Sequence, residues 1–572
     1  MRLVGRPLGG RMFLAATVLL LLPGAGWAQT GAAHGPEAWL SDGLVCMVAL
    51  AALLGVTLVR ELRGAPRATG WALLAIFALG LGLRVVIPVE TVLDVWPFNR
   101  LMTLPRLVFE GPALAALTQG GGRVFHLTEV VFGVELFMSA LGPLAVFAHA
   151  RPLLRDDRAA LATSLVTAVL PSLIRFARSD TGFILSVVFA SMSFAQVNRA
   201  LRDPSPWWRA AATVALPILI VASMDTRALN ALLPGLFLVQ VFLLQDAEIP
   251  ASRRRLVAAV IVAAAGFFLY DVFAGRYGAQ VESGLRLRTL VDGVRGLFLA
   301  RLNTLINPHV TPPGFTLLAA LGLATLWRTG RRRLALFLVG WMLAFHVANA
   351  VVQPSTVEMQ ARYHLHLAVP FSMLVASALG VLERQRWTIA AAAAYALAVP
   401  WLHLGFERDV AFNDMREFAF VRGLRGRIPA GCTVLEYTGT EPMSDYHRRF
   451  DRVGLRVAGG RVGLLWRAVS VGAMPGEAGP VRASVRALLE RPPACLLYYE
   501  GLPCYGAKLP EEPIAPACAE MRRLLRLTPV ASVTFANRVY DENTARGLLP
   551  SPEHPAPRVR TLTLTLSRAE AL

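Results

Sequence analysis

The residues best suited to chemistry are acids and arginines held in loops between apolar stretches. The run Arg-Phe-Ala-Arg-Ser-Asp-Thr-Gly-Phe, from Arg175 to Phe183, sets two arginines and Asp180 between two such stretches. An earlier loop carries Glu90 and Asp94 in Glu-Thr-Val-Leu-Asp. Charge beside a bilayer costs several kcal/mol at depth and usually has a task. A carboxylate at such a place takes or directs a proton, and an arginine holds a phosphate or another carboxylate. Each residue also has a plainer reading. Asp94 fits a solvated loop acid, and Asp180 fits an ion pair with Arg178 at a helix start, where an acid suits the dipole. A spacing of four would put Glu90 and Asp94 on one face of a helix.

These loops are positioned by a membrane protein. Apolar residues make up 55% of the 572-residue chain, charged residues 17%, and the mean hydropathy is +0.51, beyond what a soluble domain needs. The apolar residues collect into runs of roughly 14 to 20, near the length that crosses a bilayer core. They lie near 43–59, 70–88, 128–149, 159–175, 181–197, 210–224, 229–244, 256–273, 315–327, 334–352, 367–382 and 388–403. The sequence thus predicts an α-helical polytopic membrane protein of about 12–13 transmembrane helices. The run 315–327 is short and follows Pro312 and Pro313, which suits a tilted or re-entrant element.

The formal charge of +19 is almost all arginine, Lys508 being the only lysine. Arginines cluster in alternate loops: Arg60, Arg63 and Arg67; Arg151, Arg155 and Arg158; Arg199, Arg202 and Arg209; Arg253 to Arg255; Arg328 and Arg331 to Arg333; Arg384 and Arg386. That is the positive-inside pattern and not a nucleic-acid surface. It puts Asp94, Asp180 and the long loops 89–127 and 274–314 outside the cytoplasm. Arg286 and Arg288 line the second of these loops and suit phosphate or lipid headgroups. The first 28 residues, with Arg2, Arg6 and Arg11 before the apolar run from Met12 to Leu22, read equally as a signal peptide or a signal anchor.

After about Glu407 the chain changes character. Short β-type runs (Thr433 to Tyr437, Cys495 to Tyr499, Val530 to Phe535) alternate with helical patterns (Asn413 to Leu424, Val481 to Leu489). This predicts a C-terminal extracytoplasmic α/β domain over 407–572 behind a membrane domain over 43–403. Cys432, Cys495, Cys504 and Cys518 fall in the tail and predict two disulfides, with three connectivities open. No phosphate-binding loop, dinucleotide fingerprint or zinc spacing occurs.

The membrane region resembles a known family. The stretch Pro171-Ser-Leu-Ile-Arg-Phe-Ala-Arg-Ser-Asp180 runs on to Asn198-Arg-Ala-Leu201, and Ala361-Arg-Tyr-His-Leu-His-Leu-Ala-Val-Pro370 leads into a later span. With an acid-bearing first outer loop, this is similar to the GT-C membrane glycosyltransferases. That group holds the protein O-mannosyltransferases and the aminoarabinose and RgtA–D-like sugar transferases. An Arg-x-Asp at the second outer hairpin and an Arg-Tyr before a proline-containing span are common there. The resemblance covers roughly 70 to 403.

It implies transfer of a sugar from a polyprenyl-phosphate or pyrophosphate carrier to an envelope lipid, polysaccharide or protein, on the periplasmic face of a bacterial inner membrane. Asp94, Asp180 and Glu90 would be the catalytic acids, and Arg178, Arg362, Tyr363, Arg286 and Arg288 would face the donor phosphate. A divalent cation, magnesium or manganese, would sit on Asp94 and Asp180 if one is used. Arg362 and Tyr363 also suit a headgroup anchor, and His364 and His366 lack an evident third metal ligand. This chain departs from the family in spacing its first-loop acids four apart, and His126-Leu-Thr-Glu129 is only a weak match to the family's His-Pro-Pro-like element. The rival readings are a flippase or transporter of envelope lipids and a non-catalytic membrane scaffold.

Overall fold

A computed structural model describes residues 36–87, 90–91, 125–179, 183–226, 228–245, 248–271, 311–352, 365–382, 390–401, 413–424, 427–429, 431–439, 455–458, 461–464, 467–472, 479–505, 514–539 and 558–572. In the membrane part the helices are α1 (Pro36–Glu61), α2 (Arg67–Val86), α3 (Leu127–Leu154), α4 (Asp157–Val169), α5 (Pro171–Arg175), α6 (Phe183–Arg202), α7 (Pro206–Thr226), α8 (Leu233–Leu243), α9 (Ala251–Asp271), α10 (Pro313–Arg328), α11 (Arg332–Val352) and α12 (Ala368–Leu382), then α13 (Ala390–Trp401). Each apolar run of the sequence falls on one or two of them. Among the described residues four helical segments are long and apolar enough to cross a membrane, Arg67–Val86, Leu136–Leu154, Ile184–Arg202 and Pro206–Met224.

The bundle has one continuous apolar core, with α6 at its centre packed against α3 and α7. Large apolar side chains also point outward. Trp71, Leu256, Leu317, Leu336 and Leu343 are exposed on α2, α9, α10 and α11, as lipid-facing positions require. The short α10 packs closely on α12, and a Cβ at Gly322 would overlap the backbone of Leu374. A small residue there lets the two backbones approach.

The run 159–175 is not one helix. Leu170 precedes a proline and is extended (φ −61°, ψ 125°), because the proline ring disfavours the helical region for the residue before it. α4 therefore stops at Val169 and the one-turn α5 restarts with Pro171 in its first turn. At the other end, the Asp156 side chain accepts from the backbone N–H of Arg158 at 2.9 Å and caps α4.

In the tail, helices α14 (Asn413–Gly423), α15 (Gly479–Glu490) and α16 (Pro516–Leu524) accompany five strands: β4 (Thr433–Gly439), β7 (Arg467–Gly472), β8 (Leu496–Glu500), β9 (Leu525–Val539) and β10 (Arg558–Ala571). Their order is β7-β4-β8-β10-β9, with β4 parallel to β7 and β8 and β10 antiparallel to β8 and β9. Side chains alternate between two cores. Val434, Leu497 and Tyr499 join Val421 of α14, whereas Leu435, Leu496 and Tyr498 join Val485 of α15 and Met521 of α16. A sheet covered on both faces has this period of two with apolar residues at both phases. The disulfides are Cys432–Cys495 and Cys504–Cys518.

Two small sheets join distant parts of the chain. Strands β1 (Glu90–Thr91) and β3 (Arg178–Ser179) form one. The other is β2 (Phe125–His126) with β5 (Leu455–Ala458) and β6 (Arg461–Leu464).

Candidate functional site

The two ends of α6 define the two ends of the bundle. Its 20 residues span about 30 Å. At its C-terminal end the arginine-rich loops converge. Arg60 Nη2 donates to Asp203 Oδ1 at 2.5 Å, Arg151 Nε to Asp157 at 2.6 Å, Arg202 to Gln245 at 2.6 Å, and Arg253 and Arg331 to the carbonyls of Leu201 and Leu154, each at 2.9 Å. The guanidiniums of Arg60 and Arg199 also lie 5.1 and 5.8 Å from the ring centre of Trp208. This end is an arginine network in which Arg60 and Arg151 pair with acids, while Arg202, Arg253 and Arg331 bond neutral acceptors at the ends of neighbouring helices.

The N-terminal end of α6 is the opposite mouth, and the acid-bearing loops meet there. β1 and β3 run parallel, with Glu90 in register with Arg178 and Thr91 with Ser179. Residues 90 and 178 are far apart in sequence, so only the fold brings Glu90 and Thr91 to the Arg-Phe-Ala-Arg-Ser stretch. The turn follows from the break at Pro171: the chain leaves α5 at Arg175 and, after Phe176 and Ala177, enters β3. Arg175 is buried at this turn, its guanidinium 5.4 Å from the Phe176 ring centre.

Beneath the hairpin lies Arg84, fully buried near the end of α2. Its Nε donates to Ser139 Oγ of α3 at 2.7 Å, and its Nη1 to the carbonyls of Gly80 (2.9 Å) and Ala168 (3.0 Å). Ala168 belongs to the last turn of α4, whose carbonyls lose helical partners at the break. Ser139 Oγ is in turn 3.4 Å from the Leu173 carbonyl of α5. One guanidinium thus fixes α2, α3 and α4 where the hairpin begins.

A third strand of chain reaches the same mouth. His366, buried in the turn before α12, has its Nε2 2.9 Å from Ser186 Oγ in the first turns of α6. Its ring stacks on Phe345 at 4.7 Å. This contact places the segment after Arg362 and Tyr363 beside the helix that follows the hairpin. His366 therefore has a seat in the bundle. Among the described residues no group of three or more His, Cys, Asp or Glu is placed to hold a metal.

Glu90 and Arg178 are brought together through their backbones. Asp94, Asp180, Arg286, Arg288, Arg362 and Tyr363 lie outside the described residues. Sequence reasoning passed over Arg84, Ser139 and Ser186. The signal for Arg84 was a single arginine inside an apolar run.

The tail has its own polar cluster. Glu500 accepts from Tyr505 Oη at 2.6 Å and from Arg522 Nε at 2.8 Å. Burial first, then the hydrogen bond to Glu500, raises the Tyr505 phenol above its ordinary value. The Glu520 carboxyl is held below the usual carboxylate range by the hydrogen bond from Arg482 Nε at 2.6 Å.

Fold and site together define a polytopic α-helical membrane protein in which β1, β3 and the His366 turn meet at one mouth of the bundle and the α/β tail packs on β1 and β2. No family model matches the chain, and no curated protein matches it. Among solved structures it is similar to ArnT from Cupriavidus metallidurans bound to undecaprenyl phosphate. That match has a TM-score of 0.47 and 14% identity, covering 88% of this chain and 98% of the other. It is also similar to an oligosaccharyltransferase from Archaeoglobus fulgidus in complex with zinc and sulfate. There the TM-score is 0.39 and the identity 12%, covering 78% of this chain and 67% of the other.

Proposed function

We propose that the chain is a GT-C-type membrane glycosyltransferase that moves a sugar from a polyprenyl-phosphate or pyrophosphate carrier to an envelope acceptor on the periplasmic face of a bacterial inner membrane. The observation that carries this reading is the parallel pairing of Glu90 with Arg178. It joins the stretch leading to Asp94 with the stretch leading to Asp180, at the mouth opposite the arginine-rich end.

In this reading Asp94 takes or orients the acceptor hydroxyl's proton as its oxygen attacks the anomeric carbon, and Asp180 and Glu90 support the acceptor. The bond that breaks joins the anomeric carbon to the carrier phosphate. A phosphate leaves without a strong general acid, provided cations hold the developing negative charge. Arg178 and Arg362 supply that charge and Tyr363 a hydrogen-bond donor, with Arg286 and Arg288 of the second long loop on the donor's diphosphate or phosphate. The distribution of polar residues favours this over a flippase, because a transporter places its machinery at mid-membrane and this chain collects it at the mouth.

The test is transfer of a labelled sugar from a polyprenyl-phosphate donor by the purified protein in nanodiscs. Asp94→Asn abolishes transfer while membrane insertion stays intact. Full activity of that variant would sink the assignment, and movement of the intact carrier without a new glycosidic bond would favour the flippase.

A further inference from the structure

Two separate contacts tie the tail to the ends of the first outer loop. Helix α14 packs against β1, next to Glu90. At the far end β5 pairs antiparallel with β2, Val457 opposite Phe125 and Arg456 opposite His126. Strand β5 also packs on α3, and β6 on α1. The described strands β1 and β2 are therefore each held by an element of the tail.

The seat of α14 is specific. Glu417, on α14 and 1% exposed, accepts from Tyr499 Oη at 3.0 Å and from the Leu502 backbone N–H at 2.9 Å. A Cβ at Gly501 would overlap both the Glu417 carboxylate and the Tyr499 ring, so this turn is shaped to admit the acid. The turn is itself anchored, because Cys504 is bonded to Cys518 of α16. A buried carboxylate is costly without such partners, and here it locks α14 onto the central strand β8 and the turn that follows it.

We propose that the tail is a positioning element of the transfer site, holding both ends of the acid-bearing first loop, and that Glu417 is the positioning residue that fixes α14 against β1. This rests on the glycosyltransferase reading for its kinetic arm and is independent of it for its structural arm. Glu417 acts through the loop and touches neither donor nor acceptor. Misplacing a catalytic group by about 1 Å costs on the order of a hundredfold in rate, so the effect falls on kcat.

The test uses the full chain in nanodiscs. Glu417→Ala lowers kcat at least roughly tenfold with little change in KM for the lipid donor, and it raises amide exchange at 90–91 while exchange within α6 stays low. Glu417→Gln keeps an acceptor for Tyr499 and Leu502 and restores both readouts. Val457→Pro approaches from the other end and raises exchange at 125–126. It keeps the question decidable if Glu417→Ala damages the tail itself. Unchanged exchange at both loop ends in the two variants, or a Glu417→Ala enzyme within twofold of wild type, overturns the proposal. If the wild-type chain transfers no sugar, the functional reading falls, and the exchange measurements still decide whether the tail positions the loop.

Discussion

Glu90 and Arg178 are register partners in a parallel two-stranded sheet, although one follows the second described helix and the other the fifth. The sheet is only two residues long on each side. Among the described residues it is the backbone pairing that links the chain after α2 to the stretch after α5. So short a ladder depends on every donor it has. Thr91→Pro removes one N–H and fixes φ. Transfer then falls by roughly tenfold or more, with the protein still inserted and monodisperse. Transfer rate beside size-exclusion behaviour checks this, and an unchanged rate would show the pairing to be dispensable.

The Ser186–His366 contact joins α6 to the turn before α12. Removing it by Ser186→Ala loses one buried hydrogen bond, worth about 0.5–1.5 kcal/mol. Because Arg362 and Tyr363 lie directly upstream of that turn, the proposed donor site loosens and the loss appears in KM for the lipid-phosphate donor, by a few-fold to about tenfold. His366→Phe keeps the stack on Phe345 and gives the same KM change. A KM that does not move in either variant separates this contact from donor binding.

Arg84 has neutral partners on three helices. Arg84→Met removes its donors and leaves the Ala168 carbonyl, in the last turn of α4, without a side-chain partner. An orphaned buried acceptor costs about 1–3 kcal/mol, read as a lower unfolding temperature in detergent. Lysine does not restore it, since one ammonium cannot reproduce the Nε and Nη1 fork toward Ser139 and the two carbonyls. Full rescue by Arg84→Lys would mean that charge alone matters there.

Much of this arrangement is legible in the amino-acid sequence. The apolar runs fall on helices because membrane length and hydropathy leave few alternatives. The arginine-rich turns meet at one end, where Arg60, Arg151, Arg202, Arg253 and Arg331 bind the ends of neighbouring helices. In the tail, local patterning marks α14, α15, β4, β8 and part of β9, and β4 and β8 begin within a residue of where it puts them; β7, β10 and α16 carry no such mark. The rest is non-local. The run 159–175 reads as continuous by hydropathy, and only the proline at 171 signals the break. Arg84 gains a role only once that break leaves a carbonyl for it. The pairing of Phe125 with Val457 involves two ordinary apolar residues, one beside the weak His126-Leu-Thr-Glu129 match and one far along the chain, and nothing in the sequence marks them as partners.

Acid should act on the tail through Glu520. Its carboxyl is held below the usual value of 4.5 by the hydrogen bond from Arg482. A carboxyl whose pKa is lower folded than unfolded binds more protons in the unfolded chain, so stability rises with pH across that interval. The contribution is complete above about pH 4.5, and it is lost as pH falls through the depressed value. Arg482 is half exposed, so the effect is screened and modest. The two disulfides remain closed in acid, and the loops they close, with separations of 63 and 14 residues, stabilise the tail by about 4 and 3 kcal/mol in the chain-entropy model. Acid therefore loosens the tail without dismantling it. The expected result is a thermal midpoint that declines below pH 4.5 in the wild type and declines less steeply in Arg482→Ala, whose Glu520 no longer differs as much between folded and unfolded states. Differential scanning at pH 3 to 6 in high and low salt checks this, and parallel curves for the two proteins would remove Glu520 from the acid response.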